Sequence, residues 1–105
     1  MTSSPDSAAG ADRLKAGLAA IKQGNYSQAV QHLERYLVSQ AGALEQPDSI
    51  KAQMWLATVY LRSGQPQKAI AVCQQLHSSP HVKVRDWASQ TLAEIEQRYP
   101  TSVET

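Results

Sequence analysis

The chain has no phenylalanine, a single cysteine and no excess of either charge. The lone thiol, Cys73, cannot close an internal disulfide, which fits a reducing, cytoplasmic setting. Ten Lys and Arg stand against nine Asp and Glu, leaving a net charge of +1. Nucleic-acid-binding domains usually carry a pronounced basic excess, so that role is disfavoured. No run of about 18 apolar residues is present, and no membrane-spanning helix is expected. The first ten residues lack the basic-then-apolar order of a secretory leader. What remains is a 105-residue chain, 42% apolar, enough for one domain with a modest core. Its surplus of Ala, Leu and Gln favours helix.

The apolar residues recur with helical spacing from residue 10 to Tyr99, and no segment alternates with period two. Residues 1–9 are Ser/Pro/Ala-rich and read as a disordered lead-in. Leu14, Gly17, Leu18 and Ile21 form a first stripe that Gly24-Asn25 ends. Tyr26, Ala29, Val30, Leu33 and Leu37 form a second, with Asn25 as its candidate cap. Residues 42–48 read as a linker, and Asp48 or Ser49 as the cap of a third helix running to about Arg62. Met54, Trp55, Leu56, Val59, Tyr60 and Leu61 leave that helix little polar face, which places it in the middle of the molecule. Pro66 suits the first turn of a fourth helix carrying Ala69, Ile70, Cys73 and Leu76. Ser78-Ser79-Pro80 breaks it. A fifth stripe follows as Val84, Trp87, Ala88, Thr91, Leu92 and Ile95, stopped by Pro100 before a tail over 100–105.

The chain also repeats itself. Gly24-Asn25-Tyr26-Ser27-Gln28-Ala29-Val30 aligns with Gly64-Gln65-Pro66-Gln67-Lys68-Ala69-Ile70 at an offset of 40. The same offset pairs Gly17 with Ala57, Ile21 with Leu61 and Leu33 with Cys73. Each copy is a helix, a glycine turn and a second helix. Small residues facing one another, Gly17 to Ala29 and Ala57 to Ala69, would let the two helices approach closely.

This pattern resembles the tetratricopeptide repeat, W-x2-L-G-x2-Y, then A-x3-F, then P. The second copy matches at Leu56, Ala57, Tyr60, Gly64, Ala69 and, about one place displaced, Pro80; the first matches at Gly17, Gly24, Tyr26 and Ala29. Both depart from it at the second-helix aromatic, which is Leu33 and Cys73 here. The resemblance implies an all-α, right-handed antiparallel stack of five helices: hairpin 10–41, linker 42–48, hairpin 49–79 and a capping helix over 80–99.

Catalytic and metal chemistry find little support. Cys73, His77 and His81 are spaced four apart, but Pro80 interrupts the helix, Cys73 occupies a packing position and no fourth ligand is nearby. His32 lies between Gln31 and Leu33, Glu94 and Glu96 fall on different faces, and no phosphate-cradling glycine loop occurs. No enzyme activity and no cofactor are expected.

The resemblance instead implies a protein-interaction module, a small adaptor or assembly factor. In the family, the first helix of each hairpin lines a concave groove that holds a partner segment. Carried over, the groove residues are Leu14, Leu18, Ile21 and Lys22, then Lys51, Met54, Thr58, Leu61 and Arg62, then Arg85, Ala88 and Leu92. The Lys and Asn that clamp a terminal carboxylate in the family's best-known groove are replaced by Leu14 and Leu18, so that clamp is absent. An apolar floor with cations at its edge suits an amphipathic, acid-flanked segment of another protein, bound helix-in-groove. The alternatives are that these apolar residues are simply core, or that an exposed Leu14, Leu18 and Ile21 patch pairs two copies into a weak homodimer.

Overall fold

A computed structural model of the protein describes residues 5–99, with side chains from residue 12 onward. Five helices follow one another: α1 (Pro5–Gln23), α2 (Tyr26–Ser39), α3 (Pro47–Arg62), α4 (Pro66–Leu76) and α5 (Val82–Arg98). No strand occurs among the described residues, and the molecule is an all-α stack.

The two hairpin turns are copies in their hydrogen bonding as well as their sequence. Gly24 and Gly64 take φ values of 79° and 78°, a left-handed conformation that only glycine adopts cheaply. At the first turn the Gly24 N–H donates to the Ile21 carbonyl at 3.0 Å and the Asn25 N–H to that of Ala20 at 2.8 Å. At the second, the Gly64 N–H donates to Leu61 at 3.2 Å and the Gln65 N–H to Tyr60 at 2.7 Å. Both are Schellman closures, which satisfy the last carbonyls of one helix while reversing the chain into the next.

Several helix ends differ from expectation. Helix α1 begins at Pro5, so residues 5–9 are helical backbone and not a disordered lead-in; residues 1–4 and the tail at 100–105 lie outside the described residues. Asn25 precedes α2 but makes no side-chain capping bond; its amide donates to Gln23 Oε1 at 3.3 Å. The cap position of α3 falls on Gln46, and Pro47 and Asp48, expected in the linker, form the helix's first turn. Proline there has its φ already set for helix and gives up only an N–H that would go unused. Pro66 starts α4 in the same way.

The core gathers between the hairpins. Ala29, Leu33 and Tyr36 of α2 meet Leu56, Ala57, Val59 and Tyr60 of α3 and Ala69 and Cys73 of α4, with Ile95 closing from α5. Helix α3 is central, packing on α1, α2 and α4. The close approach in the first hairpin is present but shifted: a Cβ on Gly17 would stand 3.0 Å from Leu33 Cγ and Cδ2, one turn beyond the Ala29 that spacing suggested. Gln53 secures the linker, its amide donating to the Leu44 carbonyl at 3.0 Å and the Ser49 carbonyl at 3.2 Å. Helix α5 packs on α4, and no Cα of α5 comes within 8 Å of one in α3.

Candidate functional site

That separation leaves a cleft of about 610 Å³ between α3 and α5. One wall is a single stripe of α3: Pro47, Ile50, Lys51, Met54, Trp55 and Thr58, residues that helical geometry brings onto one side. The other wall is His81, Val84 and Trp87 at the start of α5. Its walls join a small apolar cluster in which Ile50, Leu76 and Ala88 are buried and Met54, Val84 and Trp87 half-buried. The α5 wall is held by two contacts to the preceding loop. The His81 N–H donates to Ser79 Oγ at 3.1 Å, and Arg85 Nη1 donates to the Ser79 carbonyl at 3.2 Å. Trp55 is 38% exposed, an unusual position for so large an apolar side chain, and Lys51 is also exposed.

Three of the residues expected in the groove, Lys51, Met54 and Thr58, line this cleft. The others do not. Leu14, Ile21 and Leu61 are half-buried against the main core, as is Leu92 of α5, and Ala88 is fully buried. Leu18 is half-buried and Lys22 exposed on α1. Arg62 lies outside the cleft, with Nη1 3.5 Å from the Tyr26 hydroxyl, and Arg85 is turned to Ser79. The homodimer expectation rested on an exposed Leu14, Leu18 and Ile21 patch; all three are half-buried, Leu14 and Ile21 against the main core. Pro47, Ile50, Trp55, His81, Val84 and Trp87 were missed as lining residues. Trp55 does fall one helical turn after Lys51, a spacing the sequence already displays.

The ionisable groups of the interior are structural. The Tyr60 hydroxyl donates to Glu34, joining α3 to α2, and burial followed by that carboxylate drives its pKa well above the ordinary tyrosine value. The Lys68 ammonium stands 5.8 Å from the centre of the Tyr60 ring, within cation–π range. Burial pushes the Cys73 thiol up from 9.0 to about 11, which makes it a poor nucleophile. Cys73, His77 and His81 do not share a helix: α4 ends at Leu76, and His81 precedes α5. No cluster of metal-ligating side chains occurs among the described residues.

The sequence profile of the tetratricopeptide repeat matches residues 14–81. The chain belongs to the tetratricopeptide repeat family. Compared with curated proteins and with solved structures, it finds no match. The matched span runs from within α1 through α4, takes in both Schellman turns and ends at His81, just before α5. Tetratricopeptide repeats generally mediate protein–protein interaction and are typically non-catalytic. In this repeat protein, the family's small and tyrosine positions in the second copy, Ala57, Tyr60 and Ala69, are all core residues. None of its described helices is long and apolar enough to cross a membrane.

Proposed function

We propose that this tetratricopeptide repeat protein is a non-catalytic adaptor that binds a short apolar segment of a partner protein in the α3–α5 cleft. The observation that carries the proposal is the pair of tryptophans on facing walls, one of them well exposed. Apolar clefts with few polar groups are where ligands gain most from leaving water. Tryptophan also ranks among the side chains that contribute most to interfaces. Lys51 at the side of the cleft favours an acidic residue flanking the apolar segment, since no carboxylate lines the walls.

The test is affinity capture with the intact chain, followed by titration of the recovered segment against wild type, Trp55→Ala and Lys51→Glu. Trp55→Ala is expected to weaken binding by about tenfold or more, with the melting temperature held within the range of a surface change. A segment that binds all three proteins equally would overturn the proposal.

A further inference from the structure

Three of the five polar side chains on the cleft walls can only donate, while His81 can both donate and accept and Thr58 offers an acceptor. Lys51 brings an ammonium and Trp55 and Trp87 bring indole N–H groups, while Asp48 and Asp86, the nearby carboxylates on these helices, are not in the lining. Neither indole donates to any group among the described residues, and an indole nitrogen cannot accept. The Thr58 hydroxyl gives its hydrogen to the Met54 carbonyl at 3.1 Å and so offers the cleft an acceptor only, which leaves Lys51 and the two indoles as the groups that need a partner. Such walls match an occupant with free acceptors. An α-helix laid along the cleft brings few, because its carbonyls are spent on its own i→i−4 bonds except in the last turn. A polyproline II segment makes no internal hydrogen bonds and keeps its carbonyls free, and its rings restrict the unbound chain in advance. Flat aromatic surfaces are also what proline-rich segments dock against.

We propose that the cleft binds a proline-containing, extended segment with an adjacent carboxylate. Trp55 and Trp87 pack on the proline rings and donate to the segment's carbonyls, and Lys51 pairs with the acid. This rests on the cleft being the docking site and adds the occupant's conformation and charge, in place of the helix-in-groove mode that sequence alone suggested.

The experiment pans a random displayed 12-residue peptide library against the intact chain. Enriched peptides are then titrated by intrinsic fluorescence. The sequence holds only two tryptophans and both line the cleft, so an occupant there changes the emission directly. The expected result is enrichment of peptides that carry proline together with Asp or Glu. Proline-to-alanine replacement in them should weaken binding by about tenfold or more, as should Trp55→Ala in the protein. Trp87→Phe, which keeps an aromatic ring and removes the donor, should weaken it several-fold. Enriched peptides that lack proline, or that bind as well once their prolines become alanine, overturn the extended conformation. The docking site itself survives that result if their binding is lost in Trp55→Ala and Lys51→Glu. A selection that yields no peptide sensitive to either substitution overturns both proposals.

Discussion

Single atoms decide much of this fold. Ala57 and Ala69 are fully buried in the main core, where a larger side chain has to displace its neighbours. Ala57→Leu or Ala69→Leu should cost roughly 1–3 kcal/mol through overpacking; an unchanged melting temperature for either would show that the helices have slack there. Ser49 is the opposite case, a completely buried residue whose hydroxyl has no partner among the described residues. Removing an unpaired hydroxyl ends its desolvation cost, so Ser49→Ala should raise stability by about 1 kcal/mol in urea unfolding. A loss of stability would reveal a partner for that oxygen. Cys73 supplies a pH signature. Its folded pKa of about 11 lies above its ordinary 9.0, so the native state holds the thiol proton more tightly than the unfolded chain does. The resulting stability is fully present below pH 9.0 and is lost as pH climbs through about 11. Below that window the folded thiol should resist thiol reagents that label the urea-unfolded chain at once; rapid labelling of the native protein at pH 8 would contradict its burial.

Between elements, the contact to test is the one that joins the hairpins. The linker is long for a repeat array, and α2 and α3 are held together by core packing plus the Tyr60–Glu34 hydrogen bond. A hydrogen bond to a charged group contributes more than a neutral one, so Tyr60→Phe should cost about 1.5–3 kcal/mol. Combined with Glu34→Gln, the two changes should be less than additive, since they remove the same interaction. Full additivity in that double-mutant cycle would mean the bond adds nothing. Gln53 acts on the same junction from the other side, by fastening the linker's Leu44 carbonyl to the first turns of α3. The linker is therefore braced against α3, which fixes the wall that carries Lys51, Met54 and Trp55.

For the whole molecule, the consequence is a division between a packed half and an open one. Helices α1 to α4 build the main core and α5 reaches it through Ile95, whereas the α5 backbone leans on α4 and stays clear of the α3 backbone. This is why the two cations of α3 have different expected roles. Lys51→Glu should weaken partner binding by about tenfold while sparing stability, and Arg62→Glu should change affinity little, because only Lys51 lines the cleft. Equal losses from both substitutions, measured by titration with the same bound segment, would extend the docking surface towards the start of α2, where Arg62 meets Tyr26.

The helices, their glycine turns and the repeat were legible in the sequence because they depend on local rules: apolar spacing, left-handed glycine and proline at a first turn. The offset of 40 between Gly24 and Gly64 carries through to matched hydrogen bonds for the same reason. The end caps were legible only in part: Asn25 does hold the cap position of α2 but without a side-chain bond, whereas Asp48 and Ser49 fall inside α3, behind a cap at Gln46. The site was not legible. Leu14, Met54 and Trp55 look alike as members of apolar stripes, and their different fates follow from where α5 lies relative to α3. That distance is set by packing of Ile50, Leu76 and Ala88 across three helices, a contact between distant parts of the chain that no local pattern records.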